Sequence, residues 1–279
     1  MPISEQELEI YRKTISVERL KSFNVHNKNV ITFKDLKEYY IANIMISQAF
    51  YPILSTIEIT LRNAIDSTFK NLLGDDWLEQ EYQCNTILHP KDYEKFKTSY
   101  EKIQYKYGDN FTSGKVIAEL HFGFWTTLCS KRYNDRIWTK KGFFKGVFEN
   151  YPKSKQQQIH DVADKLNKIR NFRNRIFHYE PIIRDDYDIR CMYLLIEEVL
   201  NYLPKDNLEV VNKTSKFKKV YNKLNKRFKN KKSRALYAEC IGRNSRLYIS
   251  IITDIIDFVN SKIKGKNSRK SSQEGGDGL

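Results

Sequence analysis

The chain has 279 residues and 33.2 kDa, with 49 Lys and Arg against 34 Asp and Glu, a formal net charge of +15. At 40% hydrophobic residues it is long enough to bury a core without disulfides or metal. Its 11 Gly and 6 Pro argue against a collagen-like repeat, a turn-rich sandwich or a propeller. The positive charge calls for a polyanionic partner, with nucleic acid the first candidate.

The N-terminal MPISEQELEIYRK is acidic and polar, unlike a signal peptide, and residues 5–22 read as an amphipathic helix. Residues 33–73 read as two helices, the second starting near Pro52 and carrying Ile53, Ile57, Leu61, Ala64 and Ile65 on one face. Asn43, Gln48, Pro52 and Glu58 interrupt the apolar run at 41–59, so no membrane span is expected there. Residues 74–91, with GDDW and HP, read as a loop, 92–105 as a short charged helix, and YGDN at 107–110 as a turn. Val116, Leu120, Phe124 and Leu128 predict one further helix, with Gly123 suited to close helix packing. KKGFFKG at 140–146 reads as a loop.

The most regular pattern follows. Ile159, Val162, Ala163, Leu166, Ile169 and Ile176 keep a helical period, which Pro181 limits. Residues 187–203 form another apolar helix, ended by Pro204. Residues 211–234 hold eleven Lys and Arg and no acid, while Phe217, Val220, Tyr221, Leu224 and Phe228 recur at helical spacing. That pattern predicts an amphipathic helix with a cationic outer face, its aromatics packed inward. Residues 235–262 read as a final packed helix and the tail from 264 as disordered. There is no internal repeat and no βαβ alternation. The prediction is an all-α bundle of eight or nine helices, divided into a helical domain at 1–205, a basic helical extension at 206–263 and a disordered tail at 264–279.

Little of the chain carries recognisable chemistry. Cys84, Cys129, Cys191 and Cys240 form no CxxC pair and fit free thiols in a reducing cytoplasm. There is no Walker loop, GxGxxG, GxSxG or HExxH. His26, His89, His121, His160 and His178 show no metal-ligand spacing, and His121, among aromatics, reads as a packed or hydrogen-bonded residue. Asp185, Asp186 and Asp188 fit no metal loop and are better read as caps of the next helix, so no cofactor is expected.

One stretch differs: KIRNFRNRIFHYEP at 168–181 collects Arg170, Asn171, Arg173, Asn174, Arg175 and His178 at the end of the most regular helix. Arg170, Asn174 and His178 share a face at i, i+4 and i+8. Arg173 and His178 are about 140° apart around a helix axis, so either the helix end distorts or the two act across an interface with a second copy. Such residues suit RNA cleavage. A histidine moves protons as a 2′-hydroxyl attacks the phosphorus, and an arginine holds the phosphate. The spacing alone arises about once by chance in a chain of this composition.

The words around the motif add weight. EITLRNAID at 58–66, AELHFGFWTTL at 118–128 and NKIRNFRNRIFHYEPI at 167–182 resemble the Abi family of bacterial abortive-infection proteins, of the AbiD/AbiF type. Arg173 through His178 resembles the Arg, polar residue, x3–5, His motif of HEPN ribonucleases. The resemblance implies a HEPN-like helical domain that dimerises and cuts RNA without metal. It implies Arg173 and His178 as the catalytic pair and Asn174 as the residue that orients them. It also implies a phage-defence or toxin role, in some relatives with a small structured RNA. RNA contacts are then expected from Arg170 and Arg175 and from the basic helix, at Lys216, Lys218, Lys219, Lys223, Lys226, Arg227 and Lys229. The same blocks nominate Glu58, Arg62 and Asn63. Glu58 and Arg62, at i and i+4, are read first as a pair with each other and second as support for the site. Glu180 is placed to act on His178 by its charge or to face water. Two rival readings remain at this point: a non-catalytic RNA-binding protein of the same fold, and a DNA-binding regulator, which lacks a recognisable helix-turn-helix.

Overall fold

Ala42, Ile46, Ala49, Phe50, Ile53, Ile57, Leu61 and Ile65 recur at helical spacing and are all buried. A face this long is shielded from water only by several other helices at once. The computed structural model describes residues 33–152, 159–183 and 188–227, with Lys13, Ile15, Arg19 and Ser22. Among these residues there are helices and turns and no strand, an all-α fold. Helix α1, Phe33–Leu73, runs for 41 residues, about 60 Å. It is long and apolar enough to cross a membrane by length and composition alone. In this fold several later helices pack along it.

The two helices expected over 33–73 are thus one. Pro52 removes the amide that would bond the Gln48 carbonyl, but Gln48 lies on the exposed face, where water can serve that oxygen. The Ser55 and Thr56 hydroxyls donate to the Pro52 carbonyl at 3.1 and 2.8 Å. Core contacts continue on the same face on both sides of the proline, which keeps the helix whole.

The expected loop at 74–91 contains helix α2, Trp77–Cys84, and the start of α3, Pro90–Tyr107. Side-chain partners a few positions away build it. The Trp77 indole donates to Asp66 Oδ1 at 2.9 Å and stacks on Phe69. The buried Glu81 carboxylate accepts the amides of Thr86, Ile87 and Leu88 at 3.0, 2.9 and 2.8 Å. Beyond the turn at Gly108–Asn110, the single helix expected from 114 is broken into α4, Ser113–Glu119, and α5, Phe122–Leu128. Leu120 and His121 are extended, and the Trp125 indole donates to the Leu120 carbonyl at 3.2 Å, partnering an oxygen at the break. His121 is exposed at the start of α5, not packed as expected. Gly123 has open space around it. The close approach is at Gly146, where a Cβ would lie 2.8 Å from Thr68 Cγ2. Gly146 belongs to α6, Phe143–Val147, a short helix inside the second expected loop.

Helices α7, Ile159–Phe177, and α8, Ile189–Tyr202, match their predicted periods. They are tied together by Lys165, whose ammonium donates to Asp161 Oδ2 at 2.7 Å, Glu198 Oε1 at 3.1 Å and Tyr202 Oη at 3.3 Å. Asp188 caps α8, accepting the amides of Arg190 and Cys191 at 2.8 and 3.3 Å. Asp185 and Asp186 lie outside the described residues, as do the expected helix at 235–262 and the tail.

The basic segment is also interrupted. Helix α9, Asn207–Thr214, ends at an extended Ser215, and α10, Phe217–Arg227, begins two residues later. The Ser215 hydroxyl accepts the Phe217 amide at 3.2 Å and bonds Tyr193 Oη at 2.9 Å. Val211, Phe217 and Leu224 join the same core as α1 and α8, with the Phe217 ring stacked 4.0 Å from Tyr193. The segment separated at 206 in the sequence reading therefore packs on the bundle through Leu224. The described residues form one compact unit.

Candidate functional site

Helix α7 buries Val162, Leu166, Ile169 and Phe172 along one face. That anchorage carries Arg170, Arg173, Asn174 and Arg175 out to a partly exposed end, and His178 to an exposed one. The helix ends through backbone geometry. The His178 amide still donates to the Asn174 carbonyl at 2.8 Å, the Tyr179 amide to Ile176 at 3.1 Å, and the Glu180 amide to Arg175 at 2.8 Å. These last two bonds close a Schellman motif, in which the residue in Tyr179's place takes a left-handed conformation and is usually glycine. Tyr179 has φ of 58° and is 72% exposed. A bulky side chain there costs on the order of 1 kcal/mol and marks a position worth a functional question. Pro181 then prevents further helix.

The exit is clamped from two sides. Asn43, buried on α1, donates to the Glu180 carbonyl at 3.2 Å and accepts the amides of Ile182 and Ile183 at 2.7 and 3.3 Å. Arg19 Nη1 donates to the carbonyls of His178 and Tyr179 at 3.2 and 3.0 Å, and its guanidinium lies 5.8 Å from the Tyr179 ring centre. Sequence reading used Asn43 only as a break in an apolar run. Its signal was its register, a polar residue among the core positions Ala42, Ile46 and Phe50.

Arg173 is held by α1. Its Nη2 lies 3.5 Å from Glu58 Oε2, and its Cζ lies 4.1 Å from the centre of the Phe177 ring. Its Nε is buried without an acceptor. A buried guanidinium donor with no partner is costly and uncommon. The pairing of Glu58 with Arg62 preferred from the sequence does not form. Glu58 reaches across to Arg173, and Arg62 Nε instead faces Asn63 Oδ1 at 3.4 Å. Asn63 is exposed and lines a separate, polar hollow with Ser67, Asn71 and Asn207. Of the three nominated α1 residues, Glu58 alone touches the motif.

The regular hydrogen bonding through His178 keeps it about 140° from Arg173 around the axis. The helix end does not distort enough to bring the two together within one chain. Arg170, Asn174 and His178 share a face, as their spacing requires. Arg175 pairs at 4.0 Å with Glu180, whose side chain is exposed.

Between the first half of α1 and the end of α7 lies a groove of about 690 Å³, lined by Ile44, Tyr51, Leu54, Ile176, Phe177 and Tyr179, with Tyr40, Asn43, Ser47 and Gln48. Lys216, just before α10, and Lys218, Lys219 and Lys223 on it are exposed and form no ion pair among the described residues, while Phe217 and Leu224 are buried and Tyr221 is half-buried against the Phe217 ring. The side chains of Lys226 and Arg227, and all of Phe228 and Lys229, lie outside the described residues. Lys218 opposes an upward shift that burial imposes on the Glu197 carboxyl. Among the described residues no three His, Cys, Asp or Glu cluster as metal ligands.

Comparison with protein-family models, with curated proteins and with solved structures finds no match to this chain.

Proposed function

We propose that this chain is a metal-independent endoribonuclease of the Abi/HEPN type. It acts as a toxin in phage defence or a toxin–antitoxin system, in the cytoplasm, as a homodimer regulated by a bound small RNA. His178 serves as acid or base at the 2′-hydroxyl and leaving oxygen, and Arg173 offsets charge on the phosphate oxygens. Asn174, on the His178 face, orients the substrate. Glu58 is a positioning residue that holds Arg173. The exposed lysines of α10 supply the sequence-independent attraction for the RNA backbone.

One observation carries the reading. The end of a core-anchored helix presents His178 to solvent and holds Arg173 at the surface with an unsatisfied donor, yet on a different side of the helix. Two such ends are needed to grip one phosphodiester, which agrees with a site shared between two copies.

The test is complementation between inactive variants. Arg173→Ala and His178→Ala are each expected to abolish RNA cleavage and toxicity. Mixed and reassembled, they restore about a quarter of the wild-type rate, because half the dimers carry one intact shared site. Native cleavage by both single variants would overturn the assignment. Tight, salt-dependent RNA binding with no cleavage by the wild type would favour the non-catalytic reading.

A further inference from the structure

We propose that the groove between α1 and the end of α7 is a subsite for one unpaired nucleobase of single-stranded RNA. The proposal rests on the ribonuclease reading for the identity of the polymer. Its walls are aromatic and exposed: Tyr51 is 62%, Phe177 43% and Tyr179 72% accessible. Three open rings around a hollow of about 690 Å³ give room for a base and surfaces on which it stacks. Ser47 and Gln48 line the same groove and make no side-chain hydrogen bond among the described residues. A hydroxyl and a carboxamide with free donors and acceptors suit the edge of a base better than an apolar peptide segment.

Charge at the rim points the same way. The Arg173 guanidinium lies over Phe177 at 4.1 Å and that of Arg19 over Tyr179 at 5.8 Å. A base between those rings carries its flanking phosphates past two cations. The backbone adds a second indication. Tyr179 occupies the left-handed position that glycine fills at lower cost, and the return is a ring placed on the groove. Because a paired base shows only its edges, the subsite selects bases that are splayed from a strand or loop. It lies beside His178, the residue between Phe177 and Tyr179, so the bound base sets which linkage is presented for cleavage.

The experiment uses the full chain and labelled 2′-O-methyl decaribonucleotides, which bind but lack the attacking hydroxyl. Tyr51→Ala and Tyr179→Gly are each expected to weaken binding of the single strand about tenfold. Gln48→Ala is expected to change the preference among the four homopolymers. Tyr179→Gly is expected to melt no lower than wild type, which a thermal melt run beside the binding assay checks, so that a loss of affinity is read apart from a loss of fold. Affinities within twofold of wild type for both tyrosine variants would overturn the subsite. So would a fall in dimer mass on Tyr51→Ala with RNA affinity unchanged, which would assign the groove to a second copy. Cleavage that needs His178 but not Tyr51 or Tyr179 sinks the subsite alone. Tyr51-dependent binding of the decamer by a protein that cuts no RNA upholds the subsite and sinks the nuclease reading.

Discussion

The two ends of α7 are built to opposite rules. Near its start, a set of polar side chains in the α7–α8 seam is mutually partnered. Lys165 bridges Asp161, Glu198 and Tyr202, and Tyr151 leans on Asp161. Burial and the neighbouring carboxylates push the Tyr151 phenol up to about 12, which keeps it a neutral donor. At the far end Arg173 Nε has no acceptor, Tyr179 sits in a glycine conformation, and Phe177 and Tyr179 are exposed. The first end is held by mutual contacts among Tyr151, α7 and α8. The second is held in place by Asn43, Glu58 and Arg19 from elsewhere in the chain. Strain and unsatisfied groups gathered at one end of one helix are the pattern expected of the proposed site.

That contrast is open to direct attack. The largest effect is expected from His178→Ala, which should lower RNA cleavage at least about 100-fold while shifting unfolding by less than about 0.5 kcal/mol, since the side chain is exposed. Denaturant unfolding beside an RNA cleavage assay checks both halves. A comparable loss of stability would mean that this end of α7 is structural after all.

Asn43→Ala comes next. It strands the buried amide of Ile182 and should cost about 1–3 kcal/mol in urea unfolding. It should also lower cleavage, because the exit from α7 loses its clamp.

Tyr179→Gly should move stability the other way. Relief of the left-handed backbone is offset in part by a freer unfolded chain, leaving a gain of up to about 1 kcal/mol. A measured loss would show that the tyrosine is held by packing and not retained at a cost.

The smallest effect is a control on α8, away from both ends. Burial raises the Glu197 carboxyl above its ordinary value, against the pull of Lys218. The native state therefore binds this proton more tightly than the unfolded chain, and stability falls as pH rises above the ordinary carboxylate range. Glu197→Gln should melt higher than wild type at pH 7, and the difference should vanish as pH drops toward about 4.3. A difference independent of pH would remove burial of the charge as its cause.

How much of this was readable in advance depends on where the partners lie. Helices α3, α7 and α8 were legible because their period is local, and Asp188 was recognisable as a cap for the same reason. The apolar stripe of α10 and the exposure of its lysines followed from spacing in the same way. The continuity of α1 through Pro52, the helix at Trp77 and the break at Leu120 were not legible. Each depends on a neighbour supplied by the fold: the shared core face, Asp66, and the Trp125 indole. The candidate site divides likewise. Arg173, Asn174 and His178 stood out as a motif. Glu58 was read first with another partner, Asn43 passed as an interruption, and Tyr179 was not singled out.

By itself the amino-acid order determined that the chain is helical, that α7 carries its arginines toward one end, and that Arg173 and His178 point to different sides of it. Those are consequences of a repeat of 3.6 residues, which acts over a few neighbours. Tertiary structure decided that Glu58 meets Arg173, that Asn43 fixes the exit of α7, and that Tyr179 and Tyr51 face one groove. Such contacts join residues more than a hundred positions apart, and only the packing of α1 against α7 and its exit brings them within reach.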